Sequence, residues 1–118
     1  MSFEFLGEEA KICISEHAKE RYTQREQVLS YADNQVDLYW LVRNRLDESE
    51  VQEIILDEVQ SRTCFGIELS KSYCAVIYMD ISCTPQFFQV KTVHSISYGK
   101  KFYMKEGEKY IDVNNNVA

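Results

Sequence analysis

The spacing of apolar positions changes once along this chain, from helical to strand-like, near residue 62. Ahead of the change, residues 3–6 read as an apolar lead-in and Gly7-Glu8-Glu9 as a turn. Lys11-Ile12-Cys13-Ile14 is β-branched enough for a short strand feeding a helix. That helix is expected from Ser15 to about Leu29, with Ala18 and Tyr22, and toward its end Val28 and Leu29, facing inward. Residues 30–34 form a break rich in capping side chains. A second helix over 34–46 carries Val36, Tyr39, Trp40, Val42 and Leu46, widened by Leu38 and Leu41, and Trp40 is its expected core anchor. The third helix is the best marked. Asp47-Glu48-Ser49-Glu50 and Ser49-Glu50-Val51-Gln52 both fit the capping box, and Val51, Ile54, Ile55 and Val59 recur at helical spacing.

Beyond Arg62 the pattern predicts strands at 63–69 and 73–81 around a turn at 70–72, then the connection Cys83-Thr84-Pro85. A long strand over 86–98 has Phe88, Val90, Thr92, His94, Ile96 and Tyr98 on one face, and Phe87, Gln89, Lys91, Val93, Ser95 and Ser97 on the other. Gly99 and Gly107 punctuate an expected hairpin of 102–104 against 110–113. The expected class is α+β: an N-terminal strand and two to three helices packed on a C-terminal antiparallel sheet. It forms one domain over 1–113, with a frayed tail at 114–118.

Length and composition agree with that picture. A chain of 118 residues is one domain by size, and 45% hydrophobic with 13% aromatic residues is globular composition. No apolar run reaches the roughly 18 residues of a membrane span and the opening Met1-Ser2-Phe3-Glu4 is no cationic leader, so a cytoplasmic protein is expected. Cys13, Cys64, Cys74 and Cys83 lack CxxC spacing and lie in apolar or strand-like stretches, which reads as reduced core thiols. With only two histidines beside them they make a poor ligand set, and neither metal nor cofactor is expected. There is no glycine-rich phosphate loop.

The net charge of -6 opposes nucleic-acid binding as a sum, but its distribution is uneven. Residues 47–58 hold Asp47, Glu48, Glu50, Glu53, Asp57 and Glu58 without a basic residue. Over 85–110 lie Lys91, Lys100, Lys101, Lys105 and Lys109 against Glu106 and Glu108. One end of the molecule is thus expected to be positive and another negative. The face of the third helix bearing Glu50, Glu53 and Asp57 reads as solvated, or as a surface for a basic protein partner.

The most chemically pointed stretch is Ser15-Glu16-His17-Ala18-Lys19-Glu20-Arg21-Tyr22-Thr23-Gln24-Arg25. On a helix capped by Ser15, His17, Arg21 and Arg25 fall at i, i+4 and i+8 and share one stripe. Two guanidiniums can grip a phosphate, and an imidazole near a helix N-terminus is kept neutral, fit to act as a base. The competing reading is an ordinary charged surface helix, given the interleaved Glu16, Lys19 and Glu20.

Ile14 to Arg21, continuing to Gln24-Arg25-Glu26, resembles the strand-to-helix motif His-x-x-x-Arg-x-x-x-Arg of the RelE-like toxin superfamily, and in particular of RegB-type phage endoribonucleases. The motif covers about a dozen residues and the similar element order about ninety. The resemblance implies RNA cleavage without a metal, by attack of the ribose 2'-hydroxyl on the adjacent phosphorus, with His17 as the base and Arg21 on the phosphate. The second catalytic histidine of that family aligns near Leu56 here. His94 is then the other histidine that can supply the acid, and the alternative for it is a core histidine, because its strand face is mostly apolar. Two functional classes stay open: an endoribonuclease acting on RNA, and a non-catalytic interaction protein that presents its acidic helix to a basic partner or serves as an assembly module.

Overall fold

In the computed structural model, which describes residues 2–26, 31–58 and 62–104, the chain opens with a β-hairpin rather than a lead-in. Strands β1 (Ser2–Phe5) and β2 (Glu8–Ile14) pair antiparallel across Leu6 and Gly7. Both turn residues have positive φ, 53° and 82°, the backbone a tight hairpin turn demands. The turn therefore sits one residue earlier than Gly7-Glu8-Glu9. Leu6 is held there by Gln52, whose Oε1 accepts its N–H at 2.8 Å.

Helix α1 (Glu16–Glu26) is capped by Ser15, whose Oγ accepts the Ala18 N–H at 3.1 Å. Next come α2 (Tyr31–Leu46), α3 (Ser49–Glu58), β3 (Arg62–Glu68), β4 (Tyr73–Asp80), β5 (Gln86–Ser95) and α4 (Ile96–Phe102). Helix α2 starts at Tyr31, inside the expected break. Val28, Leu29 and Val59 lie outside the described residues.

The class is α+β. A five-stranded sheet runs in the order β1-β2-β5-β4-β3. The C-terminal meander β3-β4-β5 is antiparallel, and the N-terminal hairpin joins it through a parallel pairing of β2 with β5. One face carries Ile12, Phe65, Ile77 and Phe88, and onto it pack Ala18 and Tyr22 of α1, Leu38, Val42 and Leu46 of α2, and Val51 and Ile55 of α3. On α2 the inward residues recur every fourth position from Leu38. Trp40 lies about 200° round the helix from Leu38 and so cannot join them. The expected core anchor is instead 41% exposed, edge-on to Tyr39 and 4.8 Å under the Arg43 guanidinium.

Two corrections concern the end of the chain. Strand β5 stops at Ser95, whose Oγ accepts the Tyr98 N–H at 3.3 Å and starts α4, so 96–98 is helical and Phe102 closes that helix. The expected hairpin strand at 102–104 is absent, and its partner 110–113, like the tail 114–118, lies outside the described residues. Helix α4 lies on the sheet face opposite α1–α3. A Cβ on Gly99 would collide with Cys74 Sγ, and the Gly66 N–H of β3 donates to Tyr103 O at 3.0 Å. Of the four cysteines only Cys74 is a core thiol; Cys13, Cys64 and Cys83 are exposed, since strand alternation puts the first two on outward positions and Cys83 is in a loop.

The second correction is of parity. Val76 pairs with Thr92 but Ile77 pairs with Val90, so Lys91 is an extra residue in β5. Before this bulge Phe88 and Val90 face the main core; after it Val93 does, aligned with Ala75. Thr92 and His94 therefore point to the α4 face, not to the face of Phe88 and Val90.

Gln52 is 6% exposed and ties the hairpin to the helices: its Nε2 donates to Glu4 O and Leu46 O, both at 3.1 Å, beside the bond to Leu6. Gln52→Leu keeps the volume but orphans all three backbone groups, and should destabilise the fold by about 2–4 kcal/mol. Thermal melting checks this; an unchanged midpoint would show that the hairpin does not depend on Gln52.

Candidate functional site

Strand β2 ends at Ile14, opposite Val90, while β5 runs on to Ser95. Among the described residues the last stretch of β5 thus has no neighbouring strand on that side, and its carbonyls need other donors. Helix α1 supplies them. Ser15 N donates to Val90 O at 3.0 Å, Ser15 Oγ to Lys91 O at 2.9 Å, and Arg25 Nε to Val93 O at 3.0 Å. The first turn and the last turn of α1 are both fastened to the bare edge, which lays the His17, Arg21 and Arg25 stripe beside it.

His94 lies at the same edge. Its ring is half-buried, 4.2 Å from Tyr98 and 6.3 Å from Tyr103, nearly parallel to the latter at 11°. Its pKa is lowered from the ordinary 6.5, first by burial and then by the positive fields of Arg25, Arg21 and His17. Residues about seventy positions apart in sequence are therefore close enough for their fields to reach His94, and among the described residues the charges that lower its pKa are cations. Neither histidine ring makes a hydrogen bond to a described residue.

The arginines differ in freedom. Arg21 is exposed, with Nη1 donating to Gln24 Oε1 at 3.2 Å. Arg25 is half-buried, its guanidinium 5.8 Å from the Tyr73 ring centre, and the Tyr73 hydroxyl donates to Arg25 O at 3.4 Å. With Nε spent on β5, the Arg25 terminal nitrogens make no hydrogen bond to a described residue. Lys91, the extra residue of the bulge, is exposed, and its backbone carbonyl accepts the Ser15 hydroxyl.

The chain's aromatic contribution is not apparent from the strand pattern. Tyr98 and Phe102 follow His94 at successive i+4 steps, which would signal a common face had the segment after Ser95 been read as helical. The acidic residues lie elsewhere: Glu50, Glu53 and Asp57 are all exposed on α3, with Leu56 50% exposed between them. An open depression of about 450 Å³ at the β1-β2 hairpin, lined by Phe3, Glu4, Gly7, Glu9 and Arg43, includes none of the predicted site residues. Among the described residues no cluster of three His, Cys, Asp or Glu is placed to hold a metal, and no helix is long and apolar enough to cross a membrane.

No family model matches the chain, and neither the curated proteins nor the solved structures give a match.

Because native His94 binds its proton less tightly than the unfolded chain does, folding should lose stability as pH falls from about 6.5 toward the lowered native value, and lose no more below it. His94→Gln should remove that slope. In an NMR titration the His94 midpoint should lie below 6.5, and Arg25→Gln should raise it only part-way, because burial remains. A midpoint at or above 6.5 would contradict the described environment.

Proposed function

We propose that this chain is an endoribonuclease that cleaves RNA without a metal at the edge of β5. The reading rests on one arrangement: α1 is bonded to the end of β5 through Ser15 and Arg25, which brings the stripe of His17, Arg21 and Arg25 to the strand that carries His94. In the reaction, the ribose 2'-oxygen bonds to the adjacent phosphorus as the bond from phosphorus to the 5'-oxygen breaks. One group takes the hydroxyl proton and another gives a proton to the leaving oxygen, while cations stabilise the charge between.

The depressed pKa of His94 favours the neutral imidazole, which suits the base. His17, exposed at the first turn of α1, is the other histidine of the pair, and the two divide the base and acid roles between them. Arg21 and the terminal nitrogens of Arg25 are the groups for the phosphate oxygens, and planar guanidiniums suit that task. Fixing Arg25 through Nε beforehand reduces the ordering needed when the phosphate arrives.

A second reading draws on α3, where Glu50, Glu53 and Asp57 form an exposed acidic face with Leu56 in its midst. It makes the chain a binding module for a basic protein. Reversing the three charges should then weaken such a complex and flatten its salt dependence without unfolding the protein, since exposed charges contribute little to stability. Unchanged affinity would remove α3 from the interface.

For the nuclease reading, His94→Ala and His17→Ala should each slow cleavage of mixed-sequence RNA by about a hundredfold or more, the usual scale for losing a general acid or base. Arg21→Ala should weaken binding and turnover together. EDTA should change nothing, the α3 charge reversal should leave cleavage intact, and products should end in 2',3'-cyclic phosphate. No cleavage, or equal cleavage by wild type and both histidine variants, would leave the binding module as the better account.

A further inference from the structure

Three rings form a continuous run away from the edge of β5. His94 and Tyr98 have centroids 4.2 Å apart with planes inclined by 33°, and Tyr98 and Phe102 follow at 4.7 Å and 46°. Tyr103 lies on the run's flank, 6.3 Å from both His94 and Tyr98. The run begins half-buried and becomes more open: Tyr98 is 42% exposed and Phe102 57%. Lys101 Nζ lies 5.3 Å from the Phe102 ring centre. Gly99, pressed on Cys74, fixes the rotation of α4 on the sheet and so fixes which side chains look outward.

Packing does not require this exposure. Helix α4 is held by the Ile96 N–H bond to Ser72 O, by Tyr98 against His94, by Gly99 against Cys74 and by the following Tyr103 and Met104 against Gly66, while Phe102 stays 57% exposed. Tyr98 is packed between His94 and Phe102, so the ring at the open end of the run is Phe102. An exposed aromatic ring beside a cation is what unpaired bases use: each base has a π-face to stack, and the cations follow the backbone. Bases within a duplex are already stacked on their neighbours and cannot use such a surface.

Resting on the nuclease reading above, we infer that Phe102, backed by Tyr98, is a stacking platform for an unpaired base next to the scissile phosphate, and that the substrate is single-stranded RNA. The phosphate would lie at Arg21 and Arg25, and the adjoining base along α4. Lys101 supplies charge at the far end. Because stacking tolerates any base, the platform selects strandedness more than sequence.

The test is equilibrium binding of a mixed-sequence 2'-O-methyl oligoribonucleotide, which has no free 2'-hydroxyl and is not cleaved, compared with the same strand annealed to its complement. Wild type should prefer the single strand. Phe102→Ala should weaken single-strand binding by about tenfold, the scale of one lost stacking contact, and leave duplex binding as it was. Phe102→Tyr should restore single-strand affinity. Circular dichroism and melting of each variant report the fold, and Tyr98→Phe, which keeps the ring against His94, serves as a second ring-preserving control with wild-type affinity expected. If Phe102→Ala binds single strands like wild type while Arg21→Ala binds weakly, the platform is overturned and the phosphate site stands. Equal weakening on single strand and duplex would also overturn it, by showing loss of charge or fold rather than of stacking. No binding by wild type to either form would overturn both the platform and the nuclease reading beneath it.

Discussion

Strand β5 outlasts the strand beside it, and the rest of the site depends on that mismatch. Its final residues would present bare carbonyls if β2 ended without a substitute, and an unpaired buried backbone group costs as much as a lost hydrogen bond. Helix α1 resolves this by donating from Ser15 at one end and from Arg25 at the other. The same bonds that satisfy the strand set the angle of the helix, and with it the line of His17, Arg21 and Arg25. A bulge at Lys91 then turns His94 away from the main core and toward α4. Without the extra residue His94 would face the apolar layer with Phe88 and Val90.

The electrostatics follow from that placement. Helix α1 brings Arg21 and Arg25 to one edge of the sheet, while α3 carries an acidic face. A net charge of -6 therefore says little about the field a phosphate would meet at α1, because exposed charges more than about 10 Å away are screened at ordinary salt. His94 feels this local field together with its burial, and both act against its protonated form. Arg25 is tied to the strand through Nε, and its terminal nitrogens make no hydrogen bond to a described residue.

How much of this is legible in the sequence depends on how local the cause is. The α1 stripe is legible because Ser15 caps the helix and four-residue spacing fixes the face, both within eleven residues. The capping boxes before α3 and the alternation of β3 and β4 are local in the same way. The parallel pairing of β2 with β5 is not, because it joins segments about seventy-five residues apart with no signal in either. Nor is the bulge: alternation over 86–98 looks unbroken in the sequence, and only the register with β4 reveals Lys91 as an insertion. Trp40 misleads because a large apolar residue within a broad helical face is read as inward, whereas the four-residue series of Leu38, Val42 and Leu46 uses the face on its other side. The end of β5 misleads because Ile96 and Tyr98 favour strand, and the Ser95 cap and the Gly99 contact with Cys74 outweigh that preference.

The central claim is that His17 and His94 share one RNA-binding edge. The most direct measurement follows the imidazole Cε1–H NMR signals of both histidines while a single-stranded 2'-O-methyl oligoribonucleotide is added at low salt. Both signals should shift along the same saturation curve, together with the guanidinium of Arg25, and the shifts should weaken as salt is raised. Movement of only one histidine, or of α3 signals with both histidines unmoved, would contradict a shared site.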